Sequence, residues 1–283
     1  MEPLWFIDLL IDATGLLLWL NWRAIPLAQP TVGTGISLLA TLHRTENRKV
    51  NRFGSLGVLV AILFLRGLFY WSLGRGLGWT LKLDLGPLVL PFRADFLGLT
   101  MLYSFGSYLL MWTALYNSLL FLSVVNARLG DSEYYQRLIR LHLGWVDIFP
   151  AWLKILLPFS FAAGLWLATS SLWIYLRMIP PNRYPEMVWQ QAVVLGGISV
   201  LSIQYVVVIC LVLYMVQSYV FLGNNSFWSY VNATGRLLVR PFGAMPVQLW
   251  RIDLRPILAT VIVLTAVFFA RRGLILAYQR IPW

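Results

Sequence analysis

Cysteine, histidine and acidic residues are all scarce in this sequence of 283 residues, and each shortage removes a class of function. The one cysteine, Cys210, lies inside an apolar run, so no intramolecular disulfide is available and its thiol reads as a small buried hydrophobe. The two histidines, His43 and His142, fall in separate connecting segments, an arrangement unsuited to paired axial haem ligation. No paired-histidine metal motif, nucleophile elbow or glycine-rich phosphate loop occurs. The chain is therefore expected to be no enzyme, with no catalytic, cofactor-binding or metal-ligating residues. Charged residues make up only 12%, against roughly a quarter in soluble domains. No basic segment precedes the first apolar stretch, so that stretch is expected to stay as a helix rather than be cleaved as a signal.

What the chain has instead is apolar length. Hydrophobic residues make up 59% and gather in runs long enough to cross about 30 Å of hydrocarbon at about 1.5 Å per helical residue. The runs lack the strict alternation of barrel strands, which predicts an all-α polytopic membrane protein, one membrane domain over 1–283. Six spans are expected: Leu4–Trp22, Ser55–Leu73, Phe96–Val125, Trp152–Met178, Ala192–Leu222 and Pro256–Ala277. The net charge of +11 fits Lys and Arg held near anionic headgroups, and nucleic acid is not expected as a partner. The loops 23–54, 126–151 and 223–255, with Lys154, carry 13 basic residues against 8 on the opposite side, which points these loops to the cytoplasm.

Within those loops, segments 36–44, 133–142 and 227–239 space apolar residues helically among basic ones. Such segments are expected to lie along the membrane interface, or alternatively to form re-entrant or partner-binding elements. Arg137, Arg140, Arg236 and Arg240 are the candidate contacts with lipid or a partner. The pattern divides the chain into three hairpin repeats, about 4–73, 96–178 and 192–277, each a helix, an amphipathic basic segment and a helix.

Asp followed three residues later by Pro occurs at Asp84–Pro87, Asp147–Pro150 and Asp253–Pro256. The last two pairs mark entries to long apolar runs, where Asp is expected to cap the helix and Pro to occupy its first turn. A second reading has Asp147 and Asp253 pinning the loops by pairing with arginines such as Arg140 or Arg251. The Asp84 copy falls between repeats. Asp8, Asp12 and Arg66 lie inside expected spans at nearly equal depth. That placement predicts an ion pair holding the first hairpin together, with a proton or cation path through the two carboxylates as the rival.

Asn225, Phe227, Thr234, Leu237-Leu238, Arg240-Pro241, Pro246 and Ile252-Asp253-Leu254-Arg255-Pro256 together resemble the YggT/YlmG family of small membrane proteins, most clearly over 203–275. Residues 97–175 look like a weaker copy that keeps Asp147 and Pro150. Gly235-Arg236 and Arg255 depart from the family pattern. The resemblance implies a non-enzymatic protein of the bacterial inner membrane, in a family linked to ion homeostasis, membrane organisation and cytochrome assembly. The sequence thus predicts a scaffold, assembly factor or accessory subunit partnered by lipids and other membrane subunits. The alternative is an ion channel or transporter using Asp8, Asp12 and Arg66.

Overall fold

Apolar side chains occupy every face of the long runs, and a backbone inside hydrocarbon has only its own carbonyls to bond. These runs are accordingly helical in the computed structural model, which describes residues 5–24, 52–77, 79–128, 134–180, 186–220, 223, 225–243, 248–249 and 252–280. The long helices are α1 (Trp5–Ala24), α2 (Arg52–Leu77), α3 (Leu97–Val125), α5 (Ala151–Tyr175), α6 (Glu186–Leu201), α7 (Ile203–Tyr219) and α9 (Arg255–Gln279). Shorter α4 (Tyr134–Leu143) and α8 (Ser226–Val239) occupy two of the three expected amphipathic segments, and the segment 36–44 lies outside the described residues.

Five stretches are long and apolar enough to cross a membrane: Phe53–Gly76, Leu97–Val125, Ala151–Tyr175, Glu186–Tyr219 and Arg255–Gln279. The protein is a multi-pass, all-α membrane protein. Helix α1 is long enough to join them, but Asp8, Asp12 and Arg23 dilute its apolar character. The expected fifth span, Ala192–Leu222, begins earlier than the sequence suggests and is broken at Ser202 into α6 and α7. Asn117 of α3 accounts for the break, since its amide donates to the Ser199 carbonyl at 3.2 Å and to the Ser202 hydroxyl at 3.1 Å. A side chain that takes a helix carbonyl in this way disrupts the local ladder.

The chain forms two compact units, one of residues 1–79 with 94–108 and one of 80–93 with 109–283. In the first, α1 packs on α2 around Leu59, Leu63 and Tyr108. Small residues allow close approach between α2 and the start of α3, as is common between membrane helices. A Cβ at Gly67 would lie 2.5 Å from the Met101 sulfur, and Ser104 donates to the Leu63 carbonyl at 2.7 Å.

The second unit contains the two-stranded hairpin β1 (Thr80–Asp84) and β2 (Val89–Arg93), which was not expected from the sequence. Its inward residues Leu81, Leu83, Leu90 and Phe92 are buried, and Phe92 stands edge-on to Trp173 of α5. Asp84 accepts the Gly86 N–H at 2.7 Å with Gly86 at φ +96°, so the first Asp-x-x-Pro motif is a hairpin turn. A second short pair, β3 (Gln248–Leu249) with β4 (Ile252–Asp253), precedes α9. Helix α9 packs on α7 through Ala259, Val207 and Leu211, and on α6 through Leu274 at Gly197.

The capping expectation at the other two motifs is corrected by the structure. Helix α5 starts from Pro150 and α9 from Leu254, neither with a side-chain cap; Pro256 sits in the first turn of α9. Asp147 belongs instead to a 3-10 turn, Gly144–Ile148, and Asp253 to β4. A turn of 3-10 helix before Pro150 points the Asp147 carboxylate back toward α3 and α5, away from the free N–H groups of the helix start.

Candidate functional site

Three polar constellations stand out against the apolar background, one in the first unit and two in the second. In the first, Asp8 and Asp12 sit one turn apart on α1 and therefore on one face. Arg66 of α2 donates to both, to Asp12 at 2.7 Å and to Asp8 at 2.5 Å, and the Tyr70 hydroxyl also donates to Asp8. Arg66 is 2% exposed, and its guanidinium lies 5.8 Å from the ring centres of both Tyr70 and Tyr103. Two carboxylates and two π faces thus surround one cation, an arrangement that compensates a charge in a low-dielectric setting. The three residues singled out from the sequence are brought together, and Tyr70 and Tyr103 complete them.

The second constellation fastens the entry to α5. Lys154, 8% exposed, donates to Asp147 at 2.6 Å and to Ser123 at 2.9 Å, while Ser123 donates to Asp147 at 2.6 Å. Arg140 of α4 approaches the other carboxylate oxygen at 3.7 Å. Burial pushes the Asp147 carboxyl up. The hydrogen bonds from Lys154 and Ser123, with the charges of Lys154 and Arg140, outweigh this and hold it below the ordinary carboxylate value. Lys154 is thereby held against the Asp147 carboxylate at the start of α5. Arg140 is correspondingly committed to the loop, while the expected partner Arg251 lies outside the described residues.

The third joins the two amphipathic helices. Asn126, at the end of α3, donates to the Tyr230 hydroxyl at 2.7 Å and to the Thr234 hydroxyl at 3.0 Å, and Tyr230 donates to Gln136 at 3.3 Å. Asn126, Gln136 and Thr234 are fully buried. Around them Leu120, Ile139, Leu143, Val146 and Tyr230 form an apolar cluster, and Tyr135 meets the rings of Phe227 and Tyr230. Gly235 lets α8 lie directly on α7, since a Cβ there would fall 2.3 Å from the Tyr214 ring. Asn225 caps α8 by accepting the Trp228 N–H at 3.2 Å. With these faces turned inward, Arg137, Arg236 and Arg240 are left exposed.

Ser123, Lys154, Asn126 and Gln136 were not singled out by the sequence. Asn126 ends an apolar run, where a polar residue reads as an interface group, and Lys154 reads as one more interfacial charge. His142 is buried in α4, its Nδ1 2.7 Å from the Leu138 carbonyl; His43 lies outside the described residues. No group of three metal-ligating side chains occurs among the described residues. Compared with known proteins, the chain matches no family model, no curated protein and no solved structure.

Proposed function

We propose that this protein is a non-enzymatic membrane scaffold, assembly factor or accessory subunit of the YggT/YlmG kind. It crosses the membrane six times, α1 included, as three helical hairpins with amphipathic basic loops in a bacterial inner membrane, with those long loops cytoplasmic. Its docking surface is the outer face of α4 and α8, where Arg137, Arg236 and Arg240 meet anionic lipid or an acidic patch of a partner subunit. One observation supports this reading above the rest. The inward faces of α4 and α8 are locked together by a buried polar network, while Arg137, Arg236 and Arg240 stay exposed. A rigid basic platform of this kind suits a lasting contact better than a moving gate.

The test is recovery of the full-length protein from native membranes in nanodiscs, followed by identification of what comes with it. Arg137→Gln, Arg236→Gln and Arg240→Gln together are expected to lose the co-purifying subunits or the binding to anionic vesicles, with helicity unchanged. A lone wild-type chain indifferent to anionic lipid would overturn the reading. Loss of ion flux in Asp12→Asn, with assembly intact, would transfer it to a channel or transporter.

A further inference from the structure

Helix α9 carries Arg271 and Arg272 far inside an apolar stretch. Arg271 follows Arg255 by sixteen residues, about 24 Å along the axis, so both guanidiniums belong to the distal part of the hydrocarbon layer or its edge. Both are exposed, and among the described residues neither has a hydrogen-bond or ion-pair partner. A cation in a lipid-facing position is costly unless an anion or the interface meets it.

The adjoining surface is shaped for such an anion with an apolar tail. Helix α9 touches α7 through Ala259 and α6 through Leu274, and the Ser202 break lies between the two helices it contacts. An open groove of about 600 Å³ runs along α9, lined by Gln204 just after the break, by Leu264 and Phe268, and by Arg271. That size falls within the roughly 300–1,000 Å³ typical of small-molecule sites. An apolar channel ending at the Arg271 cation, with Arg272 its neighbour in sequence, complements an anionic amphiphile, as basic pockets between membrane helices do.

We propose that this groove holds an anionic phospholipid, its phosphate on Arg271 with Arg272 adjoining, and an acyl chain along Leu264 and Phe268. Arginine suits the role because its planar fork donates two parallel hydrogen bonds to a phosphate. Free inorganic phosphate, lacking chains to fill the groove, competes poorly. The site rests on α9 and is independent of the basic platform on α4 and α8.

Native mass spectrometry of the full-length protein, titrated with phosphatidylglycerol or phosphatidylcholine, tests it. Wild type is expected to retain phosphatidylglycerol about tenfold better, and Arg271→Gln/Arg272→Gln to lose that preference. Thr265→Trp, which fills the groove, lowers retention of both lipids while keeping the arginines. In an Arg236→Gln/Arg240→Gln background, which lacks those platform contacts with lipid, phosphatidylglycerol retention is still expected to depend on Arg271 and Arg272, so failure here and failure of the platform reading are distinguishable. Equal retention of the two lipids by wild type overturns the proposal, as does an unchanged preference in the double variant. If that variant does not fold, a photoreactive group at Phe268 in the native membrane decides: capture of lipid supports the site, and capture of a protein assigns the groove to a partner helix.

Discussion

The Arg66 and Asp147 clusters use the same chemistry with inverted stoichiometry. Around Arg66, two carboxylates meet one cation deep between apolar helices. Around Asp147, two cations meet one carboxylate at the mouth of α5. Depth explains the contrast. Inside hydrocarbon a guanidinium needs internal partners, and the second carboxylate is met in turn by the Tyr70 hydroxyl, whereas at a helix entry the remaining charge is answered by water and headgroups. The first cluster therefore holds helices together, and the second fixes the angle at which a loop enters a span.

The largest effect is expected at Arg66. Arg66→Met strands two carboxylates and is predicted to cost about 3–5 kcal/mol, measured as thermal or denaturant unfolding in detergent. Replacing all three charges, Asp8→Asn/Asp12→Asn/Arg66→Met, should recover most of that loss; no recovery would show that the cluster does more than compensate charge. Next comes the seam between α4 and α8. Thr234→Val removes a hydroxyl that Asn126 uses and is predicted to cost about 1–3 kcal/mol, because buried polar groups lose a partner. Gly235→Ala forces a Cβ into Tyr214, with an expected penalty of about 1–3 kcal/mol from overpacking.

Smaller effects are expected at the loop anchors. Asp147→Asn should cost on the order of 1 kcal/mol at neutral pH, as the group is partly exposed and screened. Because the folded carboxyl titrates below its unfolded value, its contribution is present above about pH 4 and disappears as pH falls through the depressed folded value. Asp147→Asn should flatten that acid limb of the stability profile, and an unchanged limb would remove Asp147 as its source. Asn225→Ala, which deletes the cap of α8, is expected to cost about 1 kcal/mol and to show as faster hydrogen exchange at Trp228.

How much of this was legible in the sequence depends on the range of the forces involved. The long helices follow from apolar run length, and α4 and α8 from helical spacing of their apolar residues, both local signals. Asp8, Asp12 and Arg66 were legible as a group because a charge inside hydrocarbon demands a partner and equal depth restricts the choice. The pairing of Asn126 with Thr234, 108 positions apart, is a contact between distant segments that no local pattern encodes. The β1–β2 hairpin was missed because its alternation, Thr80 to Asp84, is only one strand long and lies between stronger helical runs. The break at Ser202 was invisible for a similar reason: the Ser199 carbonyl accepts from the Ser202 hydroxyl nearby and also from Asn117, which arrives from α3. The capping expectation at Asp147 failed because a lysine seven residues on, together with Ser123, makes a better use of its carboxylate than the helix end does.

The seam between α4 and α8 carries a genetic consequence. Two of its polar members, Asn126 and Gln136, precede α5, and two, Tyr230 and Thr234, follow α7, so each half of the chain holds an incomplete set of donors and acceptors. Loss of a donor or acceptor on one side leaves its partner on the other side unsatisfied. A chain severed after Ile179 and expressed as two pieces should reassemble only when both pieces keep their share of the seam.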